Sequence, residues 1–299
     1  MTLDAAAVES IAALRASGIR ALLLKGPVFD TWLYGGRQTR AYGDVDLLVA
    51  PSAFDEAESV LTRLGFREIE GLDEHRKGHA TTWERAVDGA RIDLHRTLVG
   101  IEAPPEHVWS AFVADAEETS VGGVAVDTSG VRARVLSVAL HAAQHGARSG
   151  KPLADLERAL ACIPVSVWRD AAALAHELDA TSAFAVGLRL RPDGVRLAAE
   201  LGLASDLTPE VVLRSRTPPP LSRGFGRLAR TGGVGAKARL IARELVPSPE
   251  FMRFSSSLAR RGPLGLAAAY VWRTVWLALR APAGLLAWRR ATREARSRD

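Results

Sequence analysis

The stretch of sequence that decides the fold is residues 22–49, LLLKGPVFDTWLYGGRQTRAYGDVDLLV. Short apolar runs bounded by glycine and proline are typical of buried strands, and a proline directly after a turn is typical of the first turn of a helix. The pattern therefore predicts, in chain order, a strand over Ile19–Leu24, a turn at Lys25-Gly26-Pro27, a helix over Val28–Tyr34 and a strand over Asp44–Val49.

The flanking sequence extends this pattern in both directions. Apolar residues at helical spacing predict a helix over residues 4–17 before it, and a helix capped by Ser52 and running through Leu64 after it. Three more strands are predicted at residues 66–70, 79–87 and 91–98, with a hairpin turn at Asp88-Gly89. The order βαβαβββ predicts a mixed sheet covered by helices.

After about residue 131 the sequence is helical, with no clear strand pattern. We therefore expect an α+β (mixed α/β) fold with three parts: an α/β domain over residues 1–128, a helical domain over 129–205 and a helical, basic region over 206–299. In the last part a helix is predicted from Leu264 until Pro282, resuming to Arg290.

The composition is that of a globular protein, with 47% hydrophobic and 24% charged residues among 299. The single cysteine, Cys162, excludes an internal disulfide framework, and the N-terminus lacks the pattern of a signal peptide, so we expect a cytoplasmic protein. Ten arginines against Glu294 and Asp299 make residues 251–299 basic.

Two carboxylates, Asp44 and Asp46, open the second predicted strand, and alternation along a strand places them on the same face. Asp93 lies in a later strand that can neighbour Asp46. Close carboxylates repel each other, and a divalent cation removes that cost. The three residues therefore predict a metal site, the alternative for Asp44 and Asp46 being a polar strand edge.

Lys25 and Gly26 are suited to phosphate binding, because glycine lets the backbone approach a ligand and a helix N-terminus favours anions. Lysine occurs only four times in the chain, which makes Lys25 more informative. Arg40, and less convincingly Arg37, can neutralise triphosphate charge. The alternatives are a plain strand-to-helix turn and solvated loop arginines.

These motifs resemble the uncharacterised nucleotidyltransferase family of the polymerase-beta superfamily. The resemblance is carried by LLLKGPVFDTWLY, by Arg40 preceding DVDLLV, by a helix ending in LGF, by RIDLH, and by the helical stretches LSVALHAAQHG, LADLERAL and VSVWRDAAALA, over about residues 10–190. The chain departs from the broader superfamily at the first turn, where Lys25-Gly26 stands in place of Gly-Ser.

The resemblance implies a polymerase-beta-like core that moves an NMP from an NTP to an acceptor and releases pyrophosphate. It implies Mg²⁺ or Mn²⁺ bound by Asp44, Asp46 and Asp93, which would be the catalytic residues, and a nucleotide served by Lys25, Gly26 and Arg40. The acceptor stays open between a small molecule, a peptide or a protein. A toxin-like enzyme acting on tRNA or other RNA ends and a non-catalytic nucleotide-binding protein are the alternatives.

Three histidines stand near these motifs. His95 shares a strand face with Asp93, and it can contact phosphate, hold Asp93 or simply pack. His141 and His145 are four residues apart on a predicted helix, a spacing that suits zinc, a cleft-facing role or an ordinary helix surface.

The C-terminal region predicts an amphipathic helix over 264–290, with Arg273 in its middle. We do not expect a transmembrane span, and packing within the protein, a partner and a membrane surface are the alternatives. The arginines from 289 to 298 can contact RNA or form a solvated tail.

Overall fold

A computed structural model describes residues 3–36, 40–69, 79–147, 149–203, 213 and 221–296. Arg37 and Arg298, which carry predictions above, lie outside these residues. The chain divides into two compact units. In the described chain the first covers residues 3–145 and 149–203 with the gaps noted, and the second comprises essentially residue 213 and residues 221–296.

The first unit contains a mixed sheet in the order β3-β4-β5-β2-β1-β7-β6. β2 is antiparallel to β1 and parallel to β5, and β1 is parallel to β7. Its strands are β1 (Ala21–Leu23), β2 (Val45–Val49), β3 (Arg67–Glu68), β4 (Ala80–Arg85), β5 (Ala90–His95), β6 (Glu117–Val121) and β7 (Val124–Thr128).

The helices of this unit surround the sheet and continue after it. They are α1 (Leu3–Ala16), α2 (Pro27–Tyr34), α3 (Phe54–Arg63), α4 (Pro105–Val113), α5 (Val131–His145), α6 (Gly150–Cys162), α7 (Val165–Glu177), α8 (Thr181–Leu188) and α9 (Pro192–Glu200). A 3₁₀ turn at Pro51–Ala53 precedes α3, so the expected Ser52 cap is wrong: Ala53 occupies the cap position.

The centre of the sheet is apolar because it is covered on both faces. Every residue of β1 and all five residues of β2 are buried. Continuous apolar runs are typical of strands in this position, and burying a leucine of such a run stabilises the fold by about 1.5–3 kcal/mol. One core extends from Ala6 on α1 to Ala198 on α9.

The predicted mixed α/β fold is confirmed, including β3 at the sheet edge and β2 beside β5. The sequence reading missed the hairpin of β6 and β7. Its strand β6 is mostly exposed and polar, which removes the apolar signal. Its turn is Gly122-Gly123, and both residues have the positive φ that glycine adopts without strain.

The core continues without interruption across residue 128, because α5 is buried along most of its length against α6, α7 and α8. The sheet and the helices that follow it are therefore one packing unit. The domain boundaries expected after residues 128 and 205 stay predictions.

The second unit contains α10 (Ser222–Arg230), α11 (Val234–Leu245), α12 (Pro249–Ser255) and α13 (Gly262–Arg296). The expected interruption at Pro282 is wrong, because α13 runs through this residue. Packing of Ala291 near Leu213 holds the second half of the helix in place. Among the described helices, none has the length and apolar character needed to cross a membrane.

Candidate active site

The site is built around two aspartates on neighbouring parallel strands. Asp46 of β2 lies directly opposite Asp93 of β5 in the strand register. Both side chains are buried, with 5% and 3% of their surface exposed. Since two buried carboxylates repel each other, this arrangement needs positive charge close by.

Lys25 supplies part of that charge. Its Nζ lies 2.7 Å from Asp46 Oδ1, and the side chain is only 12% exposed. The backbone fixes this position, because the amide of Leu24 donates to the carbonyl of Asp46 at 3.0 Å. Gly26 then turns the chain with φ 64° and ψ −118°, a conformation that an L side chain adopts only with strain, and α2 begins at Pro27.

His95 is the second side chain in contact with the Asp46 carboxylate. Its Nε2 lies 3.0 Å from the same Oδ1 that Lys25 contacts. The sequence allowed His95 to hold Asp93, and in the structure its ring contacts Asp46, the residue opposite Asp93 on the neighbouring strand. His95 Nδ1 is buried, and no hydrogen-bond partner for it lies within the part of the chain that the structure describes.

The carboxyl groups of Asp46 and Asp44 have pKa values shifted in opposite directions. Burial disfavours the charged form of Asp46, but Lys25 and His95 outweigh that cost and hold the pKa of Asp46 well below its usual range. Burial raises the pKa of Asp44, and the charges of Asp46 and Asp93 raise it further.

Asp44 lies at the margin of the site. β2 begins at Val45, so Asp44 precedes the strand and the alternation that predicted a face shared with Asp46 does not extend to it. The side chain is half-buried. The effect of Asp46 and Asp93 on its pKa nevertheless shows that all three carboxylates share one electrostatic environment.

Asp93 is oriented by a residue that the sequence did not single out. Thr82 Oγ1 on β4 donates to Asp93 Oδ1 at 2.7 Å. The register places Thr82 directly opposite Asp93 in the antiparallel pair of β4 and β5. The signal in the sequence was the alternation of ATTWER, which puts Thr81 on the other face, where it donates to Glu58.

Arg40 is placed differently from the other predicted residues. Its Nε and Nη2 each lie 2.8 Å from Asp155 of α6, and the two side chains are 3% and 1% exposed. Tyr34 also donates to Asp155, and burial together with this carboxylate raises the pKa of Tyr34 to about 12.

Only Nη1 of Arg40 is left, buried and without a hydrogen-bond partner among the described residues. Because Asp155 balances the guanidinium charge, neutralisation of triphosphate by Arg40 stays a prediction, and the geometry assigns Arg40 a structural contact between the loop before β2 and α6.

Helix α5 brings His141 to the same region. His141 and Ser137 line a recess of about 20 Å³ together with Lys25 and His95, which is room for one water molecule. Burial and the nearby charge of Lys25 lower the pKa of His141 well below its usual range. The ring of His145 stands edge-on to that of His141, with centroids 4.7 Å apart.

The donor set fits a divalent cation. One ligand atom from each of Asp46, Asp93 and His95 lies within 4.8 Å of the others. Carboxylate oxygens suit Mg²⁺ and Mn²⁺, so Asp46 and Asp93 can hold such an ion while His95 Nε2 stays on Asp46. Burial first, and then the charges of Asp46 and Asp93, raise the pKa of Asp44, and a cation between these carboxylates would offset the repulsion between them. Among the described residues, Asp46, Asp93 and His95 are the set of potential metal-binding side chains that lie close enough together to share one ion.

The chain belongs to the uncharacterised nucleotidyltransferase family, whose model matches residues 1–192. This confirms the resemblance read from the motifs, and it makes the protein an enzyme of the nucleotidyltransferase class. The matched region contains the whole sheet and the helices through α8. No curated protein matches the chain.

Several solved structures are similar to it. The solution structure of the antibiotic-resistance factor ANT(2'')-Ia is 18% identical, with a TM-score of 0.42 over 58% of this chain and 92% of that one. ANT(2'')-Ia in complex with adenylyl-2''-tobramycin is 18% identical, with a TM-score of 0.43 over 59% and 98%. An antigenic nucleotidyltransferase-like protein from Paracoccidioides brasiliensis is 17% identical, with a TM-score of 0.35 over 61% and 91%.

Proposed function

We propose that this nucleotidyltransferase uses a divalent cation, Mg²⁺ or Mn²⁺, at Asp46, Asp93 and Asp44 to move an NMP from an NTP to an acceptor. The observation that carries the proposal is the pairing of Asp46 and Asp93 on adjacent parallel strands, with Lys25 Nζ at 2.7 Å from Asp46. When bound, the cation would neutralise charge at the α-phosphate and align the acceptor with the leaving pyrophosphate.

Lys25 and Gly26 form the nucleotide side of the site. The ammonium group lies at the carboxylates, where the triphosphate would also lie, and its positive charge favours the leaving pyrophosphate. Gly26 has no side chain between this turn and the N-terminal end of α2, so the backbone can approach an anion there. A side chain at Gly26 would meet the ring of Tyr42 at 3.4 Å.

The remaining polar residues hold these groups in position. Thr82 fixes the rotamer of Asp93, and His95 fixes that of Asp46. Groups of this kind set the orientation of metal ligands, and their loss commonly costs about 10–100-fold in metal affinity or activity. His95 is also proposed to contact the nucleotide, because its Nδ1 is buried and has no described partner.

The acceptor is tested by label transfer. The full chain is incubated with each NTP labelled at the α-phosphate, with Mg²⁺ or Mn²⁺, and with separate fractions of small molecules, protein or RNA. The proposal predicts label in the small-molecule or protein fraction and release of pyrophosphate. Label in RNA would instead support an enzyme acting on RNA ends, and NTP binding without any turnover would support a non-catalytic protein.

Two variants make this experiment specific to the site. Asp93→Asn removes one carboxylate charge but keeps the shape of the side chain. Asp127→Asn is the matched control, because Asp127 lies on β7 of the same sheet and pairs with Arg20 at the surface. We expect transfer to be lost in Asp93→Asn and kept in Asp127→Asn. Equal transfer by both variants would contradict the proposed role of the carboxylates.

A further inference from the structure

Helix α13 has two sides of different character. Its inner side carries mostly small residues and packs against the other helices of the second unit, α10, α11 and α12. The buried positions are Gly265, Ala269, Leu277, Gly284, Ala291 and Ala295. At 3.6 residues per turn these positions fall on one side of the helix, about a third of its circumference.

The opposite side is apolar and exposed. Its larger side chains have between 44% and 88% of their surface exposed, and they are Leu264, Val271, Trp272, Val275, Leu279 and Leu286. Successive members lie one, three, four or seven residues apart, so they form a continuous stripe about 33 Å long. We call this set of six residues the apolar stripe.

A helix on the surface of a protein normally turns its polar side to water. In α13 the outward side is apolar and the inward side is made of small residues, so the stripe needs another apolar environment. Arg273, near the inner side, donates to the carbonyl oxygen of Glu244 at 2.9 Å, and burial lowers its pKa.

Basic residues follow the apolar stripe toward the C-terminal end of α13. Arg289, Arg290 and Arg293 follow it on the same side of the helix, and all three are exposed. The surrounding sequence is strongly basic, because residues 205–299 contain 18 lysines and arginines against 6 aspartates and glutamates, a net charge of +12. The chain as a whole has +5, so residues 1–204 carry −7.

We propose that the outward side of α13 binds the surface of an anionic lipid bilayer. The apolar stripe would enter the boundary between headgroups and acyl chains, and the three arginines would contact lipid phosphates. Trp272, at the edge of the stripe, suits this boundary because its ring is apolar and its indole N–H is polar.

Charge and apolar surface together favour lipid over other partners. RNA would use the arginines and leave the stripe exposed to water. A second copy of the chain would cover the stripe but would bring two regions of net charge +12 together. Insertion across the bilayer does not fit, since no described helix is long and apolar enough.

The test is sedimentation of the full chain with vesicles of phosphatidylcholine alone or mixed with phosphatidylglycerol, and without vesicles as a control for aggregation. We expect binding to the mixed vesicles, reduced by high salt. The variant Val271→Gln/Leu279→Gln should bind about tenfold more weakly or worse, because two side chains no longer enter the apolar layer. Both positions are exposed and glutamine favours helix, so the fold is kept.

Two more variants separate the contributions. Arg289→Gln/Arg290→Gln should weaken binding to mixed vesicles about fivefold per arginine and reduce the preference for phosphatidylglycerol. Val234→Gln is the matched control, because Val234 is 85% exposed but lies on α11, and its vesicle binding should equal that of the wild type.

The proposal would be overturned by wild-type protein that does not sediment with mixed vesicles, or by equal sedimentation of Val271→Gln/Leu279→Gln and wild type. It would equally be overturned if the protein bound RNA but no vesicles, or if it formed a dimer without lipid that these two glutamines dissociate. None of these measurements uses an NTP, so the result does not depend on the proposed transferase mechanism.

Discussion

Removal of Asp155 should destabilise the first unit strongly. Asp155 takes two hydrogen bonds of 2.8 Å from Arg40 and one of 3.0 Å from Tyr34, with almost no exposure to solvent. Asp155→Leu leaves a buried guanidinium without a counter-charge, which costs about 3–5 kcal/mol, and the lost tyrosine bond adds about 1 kcal/mol. Arg40→Met should lower the free energy of unfolding by about as much, since it leaves the buried carboxylate of Asp155 without a counter-charge.

The double variant Arg40→Met/Asp155→Leu removes both charges together, and we expect it to lie within about 2 kcal/mol of wild type. Urea unfolding followed by circular dichroism gives the free energies of unfolding of the wild type, the two single variants and the double variant. Transfer rates at increasing NTP concentration give the KM of each protein for NTP. Costs below about 1 kcal/mol for the single variants, or strict additivity in the double variant, would refute the structural role. A stable double variant with a raised KM for NTP would show that Arg40 also serves the nucleotide.

Three further outcomes follow from the site. Thr82→Val should lower transfer about tenfold or more by freeing the carboxylate it holds, whereas Thr81→Val, on the other strand face, should not; equal rates would contradict this. Gly26→Ala should reduce stability by about 1–3 kcal/mol in urea unfolding, because alanine is strained at that φ and ψ. His141→Gln should lower kcat/KM about 3- to 10-fold, with the exposed His145→Gln as control; an unchanged value would remove His141 from the site.

The pairing of Asp46 with Asp93 could be predicted because the sequence pattern that identifies each of their strands is local. Asp46 and Asp93 each stand inside a short apolar run, which identifies a strand, and two neighbouring buried strands with one aspartate each leave few other arrangements. Lys25 and Gly26 were found for the same reason, since a turn between a strand and a helix has a recognisable composition.

The contact of Arg40 with Asp155 could not be predicted, because the residues are 115 positions apart and nothing in the sequence around either residue indicates which residue it contacts. Thr82 was missed because a threonine in a strand is also a common packing residue. Helical spacing left the role of His141 undecided, and only the packing of α5 shows that this residue lines the recess with Lys25. The Pro282 prediction failed because tertiary packing outweighs a local helix breaker.

The central claim is that Asp46, Asp93 and Lys25 form one site for a divalent cation and an NTP. The most direct measurement is Mn²⁺ binding, followed by the electron paramagnetic resonance signal of the free ion, with and without NTP. We predict that wild-type protein depletes free Mn²⁺ most when NTP is present, and that Asp46→Asn/Asp93→Asn, with an unchanged circular dichroism spectrum, does not. Equal depletion by a folded double variant would contradict the account.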